Sequence, residues 1–285
     1  MKNKILTGLL LVLIGGWGSL SAQSAGSNYA RQVNTLIGTK GVGLTSGYLY
    51  PGATYPYGMV QFTPSYFSKR SGFVINQLSG GGCEHMGNFP TFPVKGKLKM
   101  SPDNILNYRI NISEEKGHAG YYEAKVQEDI HAKLTVTERT GMASYEYPAD
   151  QQYGTVIIGG GISATPIEQA AIVITAPNKC EGYAEGGNFC GLRTPYKVYF
   201  VAEFDTDALE SGTWKRDELK PNTTFAEGEY SGVYFTFDVN KKKNIQYKIG
   251  VSYVSVENAR DNLKAENSGW DFLQIQNQAE SKWNH

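Results

Sequence analysis

The chain carries no surplus of charge. Its 285 residues hold 27 Lys+Arg and 27 Asp+Glu. There is no basic patch and no polybasic arm, which excludes nucleic acid and anionic membrane surfaces as electrostatic partners. Histidine is scarce, with four copies, and cysteine scarcer, with three. Neither forms a C-x-x-C or H-x-x-x-H pair, so the ligand spacing of a zinc site is missing. After the first two dozen residues no apolar run is long enough to cross a bilayer. Internal repeats and low-complexity linkers are absent too.

The N-terminus is different in kind. Met1-Lys2-Asn3-Lys4 precedes an apolar run from Ile5 to Trp17, and Ser19-Leu20-Ser21-Ala22 follows. A basic start, a short apolar core and a small-residue end read as a secretory signal at 1–22, cleaved after Ala22. An uncleaved anchor is the alternative. No cysteine follows the cleavage point, so a lipoprotein is not indicated. The expected destination is periplasmic or extracellular, with no membrane attachment after cleavage. Lys2 and Lys4 leave with the signal, and the roughly 260 remaining residues are enough to bury a large core. An exported chain with three cysteines suggests one disulfide and one free thiol. Cys180–Cys190 would close a short Gly-rich loop, and Cys83–Cys190 would join two Gly-rich loops; both stay open.

Period-two alternation dominates the rest. Tyr196, Val198, Phe200, Ala202 and Phe204 face one way. Val233, Phe235, Phe237 and Val239 repeat the pattern, as do Ile245 to Tyr253 and Ala132, Leu134 and Val136. Glu128-Asp129 and Thr140-Gly141 read as hairpin turns. Strands at roughly ten-residue spacing, rich in Tyr and Phe, predict an all-β fold, a large two-sheet antiparallel sandwich. Only the end departs. Ser255–Glu266 reads as a helix capped by Ser255. A second helix reads as capped by Ser268 with Asp271 completing a capping box, and Phe272, Ile275, Ala279 and Trp283 form its apolar stripe. That stripe either docks back on the sandwich or meets further chain.

Two blocks carry the chemistry. Leu78-Ser79-Gly80-Gly81-Gly82-Cys83-Glu84-His85-Met86-Gly87-Asn88-Phe89-Pro90 strips side chains from one piece of backbone, then presents a thiol, a carboxylate and an imidazole. Bare backbone permits positive φ and close approach, and loops of this kind carry function. Upstream, the stretch from Tyr50 to Pro64 is dense in Tyr, Pro and Gly. Tyr48, Tyr50, Tyr55, Tyr57 and Phe89 are candidates for stacking on sugar faces, against ordinary packing. Cys83-Glu84-His85 lacks partners for a metal site and any local signature of a nucleophilic cysteine. Gly159-Gly160-Gly161-Ile162-Ser163-Ala164 imitates a dinucleotide fingerprint, but Thr165-Pro166 stands where a helix must already run, so a loop between strands is expected. Asn111 and Asn222 open sequons without consequence in an exported bacterial chain.

Taken together, Pro51-Gly-Ala, Pro56-Tyr-Gly-Met-Val, Leu78-Ser-Gly-Gly-Gly-Cys, Gly120-Tyr-Tyr, Thr137-Glu-Arg-Thr-Gly, Tyr199-Phe-Val-Ala-Glu-Phe and Gly250-Val-Ser-Tyr-Val-Ser-Val-Glu-Asn-Ala-Arg keep the order of one family. The chain resembles the N-terminal domain of glycoside hydrolase family 92, calcium-dependent exo-acting α-mannosidases. The resemblance implies a supersandwich-like domain at 23–254 and a helical linker at 255–285, leading to an (α/α)6 domain that this chain lacks. In the family that second domain holds the general acid, the general base and the Ca2+ ligands of an inverting reaction. No catalytic residue and no metal ligand is therefore expected here.

The resemblance further implies that the sandwich lends its Gly-rich loop to a sugar pocket between the domains. The expected substrate-binding residues are Leu78, Ser79, Gly80, Gly81, Gly82, Cys83, Glu84 and His85, and the expected partners are mannose-containing glycans and the helical domain. Members specific for α-1,2 linkages carry Trp where Cys83 stands, which points this chain to another linkage. Gly41–Tyr50 is longer than the family's usual approach to Pro-Gly-Ala. Alone, the chain is expected to hydrolyse nothing. The alternatives are a non-catalytic carbohydrate-binding sandwich and a structural exported β-protein.

Overall fold

The computed structural model describes residues 28–39, 49–65, 72–105 and 111–285. The leader, Tyr48 and most of the long Gly41–Tyr50 approach lie outside them. Two antiparallel sheets face each other. One runs, in spatial order, β1 (Ala53–Thr54), β2 (Gln61–Pro64), β3 (Phe73–Val74), β4 (Thr91–Lys95), β9 (Tyr153–Gly159), β16 (Ser231–Asp238), β13 (Glu210–Lys215) and β14 (Glu218–Pro221). The other runs β15 (Phe225–Glu227), β10 (Ile167–Ala176), β11 (Lys179–Phe189), β12 (Leu192–Phe204), β17 (Asn244–Ser252), β8 (Thr140–Glu146), β7 (Ile130–Val136), β6 (Tyr121–Val126) and β5 (Ile112–His118).

The predicted alternation makes the core. Val198, Phe200, Ala202 and Phe204 of β12 meet Val233, Phe235 and Phe237 of β16 and Ile245, Tyr247 and Ile249 of β17, all buried. Phe204 lies with its ring centroid 4.9 Å from that of Phe235 and 5.3 Å from that of Tyr247. Side chains on alternate positions of facing sheets fill one contiguous layer in this way. Cys180 is buried inside it, and burial pushes its thiol far up, so it is inert.

Two local expectations need correction. Thr140-Gly141 is not a turn but the start of β8. The reversal lies at Thr137–Thr140, closed by Thr137 N–H donating to Thr140 O at 2.9 Å. Gly141 is glycine because a Cβ there would sit 2.8 Å from Ile75 Cδ1 and 2.9 Å from Phe62 Cδ1. The second tail helix is capped by Asp271, whose side chain accepts from Gln274 N–H, and not by Ser268. The Gly159–Ala164 imitation of a nucleotide fingerprint is a loop between β9 and β10, as expected. A Cβ on Gly161 would lie 1.9 Å from Gly228 O, so packing asks for that glycine.

The short α1 (Pro102–Ile105) stands before β5. The tail docks on the sandwich. In α2 (Val256–Glu266) Ser255 accepts from Asn258 N–H as the N-cap, and Ala259 and Leu263 cover Val201 on the outer face of β12. Phe272 and Ile275 of α3 (Phe272–Trp283) pack on Met142. Ala279 is buried and Trp283 is 41% exposed, so the stripe is buried over its first three positions only. Lys248 Nζ donates to Asn267 O and Ser268 O at 3.0 and 3.2 Å, under the Trp270 ring. Burial lowers its pKa, although Glu203 opposes that.

Candidate functional site

The Gly-rich segment is a closed loop with a tied neck. Asn88 N–H donates to Asn76 Oδ1 at 2.8 Å, and Asn76 Nδ2 donates back to Asn88 Oδ1 at 3.0 Å. Tyr196 OH donates to the same Asn88 oxygen at 2.9 Å, and Asn76 Nδ2 reaches Tyr253 OH at 3.4 Å. Burial pushes the Tyr196 phenol up to about 12, so it stays a donor. Residues 77–87 leave and return through this polar clasp, the form of a compact Ω-loop.

Inside the loop the imidazole acts as an internal strut. His85 is 1% exposed. Leu78 N–H donates to its Nε2 at 3.0 Å, so Nδ1 carries the ring proton and donates to Cys83 O at 2.7 Å. The three glycines follow from this arrangement. Gly80 and Gly82 hold φ at +75° and +73°, and a Cβ on Gly81 would stand 2.6 Å from His85 Cε1. The ring's other neighbour is Phe189, edge-on at 5.1 Å. His85 is thus placed where it shapes the loop, while Leu78, Ser79, Gly80, Gly82 and Glu84 are exposed and Gly81 and Cys83 half-exposed. Ser79 Oγ accepts from Tyr50 N–H at 3.1 Å and from Gln61 Nε2 at 3.0 Å, fastening the loop to the Tyr50–Pro64 block.

A disulfide provides the third anchor. Cys83 pairs with Cys190, with Cα atoms 5.3 Å apart, which removes the Cys180–Cys190 alternative. It spans 107 positions, and closing a loop of that length stabilises by roughly 4–5 kcal/mol in chain-entropy terms. Cys190 tips the β11–β12 hairpin. The last pair of β12 with β17 is Tyr199↔Ser252, whereas β11 and β12 continue to Phe189↔Leu192. At about 3.3 Å per residue the hairpin runs roughly 20 Å beyond β17, while on its other side β10 follows it as far as Ile167↔Gly186.

Four non-glycine residues at this end hold left-handed backbone. Tyr57, Met86, Phe89 and Cys190 have φ of 56°, 46°, 55° and 53°. Such conformations cost free energy in non-glycine residues and persist where surroundings impose them, often at sites. Of the aromatic candidates, Phe89 and Tyr50 are buried, and Phe89 packs 4.2 Å from Phe200, so neither is a sugar platform. Tyr55 is partly buried against the core, and Tyr57 is fully exposed. Calcium favours six to eight oxygens. The loop offers one carboxylate, Glu84, and among the described residues no three His, Cys, Asp or Glu side chains are grouped for a metal. These residues do not fit that ion.

The model of the glycosyl hydrolase family 92 N-terminal domain matches residues 32–252. The chain belongs to that family. A relative from Arthroderma benhamiae, described as an uncharacterized secreted glycosidase, is 26% identical and pairs 89% of this chain with 37% of its own length. Among solved structures, a family GH92 glycosyl hydrolase superposes with TM-score 0.78 at 22% identity, over 90% of this chain and 36% of that one. A family GH92 α-mannosidase from Bacteroides thetaiotaomicron, in complex with mannoimidazole, superposes with TM-score 0.77 at 23% identity, again over 90% and 36%. The family 92 sandwich thus spans little more than a third of these relatives. No helix among the described residues is long and apolar enough to cross a membrane.

The clasp residues Asn76, Asn88, Tyr196 and Tyr253 and the partner cysteine's hairpin were not singled out as site residues from sequence. The two asparagines flank the glycine run, which is a signal of a sort. Tyr196 and Tyr253 arrive from distant strands and leave no local mark.

Proposed function

We propose that this chain is the sandwich part of an exported exo-α-mannosidase, with the signal at 1–22, the sandwich at 23–254 and a linker at 255–285. In this reading Leu78, Ser79, Gly80, Gly81, Gly82, Cys83 and Glu84 form one wall of a mannoside pocket, and His85 positions them from within. A helical domain supplies the acid, the base and the calcium ligands for inverting hydrolysis of mannose-containing glycans. The observation that carries the reading is the loop itself. Three independent anchors hold an exposed, glycine-lined backbone at one end of the sandwich. Next to it stand exposed apolar side chains at Tyr57, Leu78, Leu192, Tyr253 and Val254. An apolar rim of this kind suits a docking face for another domain. With Cys83 tied up in a disulfide, the loop carries no aromatic platform at that position, which favours a linkage other than α-1,2.

The test is turnover of an aryl α-mannoside by this chain alone and by the same chain joined to a family 92 helical domain. The joined protein is expected to turn over and to lose activity to a calcium chelator, while the chain alone does nothing. Hydrolysis by the chain alone contradicts the division of labour. Inactivity of both favours the non-catalytic binding module.

A further inference from the structure

The β1–β2 hairpin is gripped at three points, and two of the grips trace back to the tail helices. On its first strand, Trp283 Nε1 of α3 donates to Thr54 O at 2.7 Å. Gly58 N–H donates to Tyr55 O at 3.1 Å and closes the turn that carries Tyr57. Just past that turn, Met59 N–H donates to Glu138 O at 2.7 Å. Glu138 sits in the Thr137–Thr140 reversal, and Glu266, the last residue of α2, holds that reversal. Its carboxylate accepts from Thr137 Oγ1 at 2.6 Å, from Arg139 N–H at 2.9 Å and from Arg139 Nε.

The third grip is on the glycine loop. Gln61 is the cross-strand partner of Thr54. Its backbone N–H donates to Ile75 O at 3.0 Å, and it forms a parallel bridge with the clasp residue Asn76. Its side-chain Nε2 donates to Ser79 Oγ at 3.0 Å. Two residues paired across one short ladder therefore separate the indole of α3 from the glycine loop. A two-stranded ladder has little stability of its own, so what grips this hairpin sets where it lies. We propose that the hairpin is a positioning relay through which the seat of α3 sets the glycine loop. Trp283 and Gln61 are its positioning residues. Coupling of this kind needs an element with two arrangements. Here they are Trp283 bonded to Thr54 O and Trp283 released, and the indole is 41% exposed, so its release uncovers little. Resting on the mannosidase reading, the relay makes the pocket wall depend on how the tail is seated.

The test is amide hydrogen exchange of the 15N-labelled chain, read by NMR at Leu78, whose N–H donates to His85 Nε2 inside the loop. Trp283→Phe keeps a ring and removes the indole donor. Protection of the Leu78 N–H is expected to fall about fivefold or more, the worth of one neutral hydrogen bond. Amides of β16 and β17 are expected to keep their protection, which is the check on folding. Gln61→Leu cuts the relay without touching α3 and is expected to lower Leu78 protection at least as much. In that background Trp283→Phe is expected to add nothing, because the route is already cut. Unchanged Leu78 protection in Trp283→Phe overturns the relay, and so do losses that add in the double variant. The mannosidase reading fails separately. Turnover by the joined protein with no change at Leu78 removes the relay alone, whereas a change at Leu78 without any turnover removes the enzyme reading alone.

Discussion

Glu280 and His85 are both nearly sealed from solvent, yet they hold the molecule together in different ways. His85 holds its ring between two backbone groups and so gives the loop its shape. Glu280 keeps a charge at 4% exposure, accepting from Arg31 Nε at 2.9 Å, Gln276 Nε2 at 3.0 Å and Asn28 Nδ2 at 3.3 Å, with His118 Nε2 at 3.5 Å. Burial alone would raise its pKa, but the bonds from Arg31, Gln276 and Asn28 together outweigh it and lower the carboxyl below its ordinary 4.5. A depressed folded-state pKa stabilises fully above the unfolded value, and that stability is lost as pH falls through the folded one. Chemical denaturation midpoints of the native chain are therefore expected to drop below about pH 4.5 more steeply than those of Glu280→Gln. Parallel pH profiles would show that this latch, between the segment at 28–31 and α3, contributes nothing.

At the scale of elements, alternation is a local signal and was legible. The inward sets of β12, β16 and β17 stand as the period predicts. Turn placement was less so. Thr140-Gly141 has turn chemistry, but Gly141 is needed for packing against Phe62 and Ile75, contacts far away in sequence. Gly250, inside the strand that the alternation of Ile245 to Tyr253 predicts, is a second packing glycine. It belongs to β17, and a Cβ there would meet Ala259 O at 2.5 Å and Leu263 Cβ at 2.8 Å, because α2 lies directly on it. Gly250→Ala is expected to destabilise by about 1–3 kcal/mol through displacement of α2. Gly269→Ala, which meets nothing within 4 Å, is expected to change little. Equal urea midpoints for the two variants would contradict the close docking of α2.

For the whole molecule, the glycine loop, the family and the sandwich were visible in residue order and pattern. The clasp, the strut role of His85 and the hairpin running beyond β17 were not. They depend on residues such as Asn76, Tyr196 and Cys190 that meet only after both sheets have formed, and pairing between distant strands leaves no periodic trace. The cysteine pairing shows this well. Spacing allowed two partners for Cys190, and the fold brings Cys83 to it from 107 positions away. In the molecule that results, the exposed side chains of Tyr57, Leu78, Leu192, Tyr253 and Val254 and the anchored loop lie at the same end. Everything therefore turns on whether that loop touches the sugar. Its most direct test is kcat/KM for an α-linked mannobiose in the chain joined to a family 92 helical domain, comparing Glu84→Gln with the native loop. A fall of about tenfold or more, the worth of a charge-assisted hydrogen bond to substrate, with unchanged thermal stability is the predicted result. An unaltered kcat/KM would contradict it.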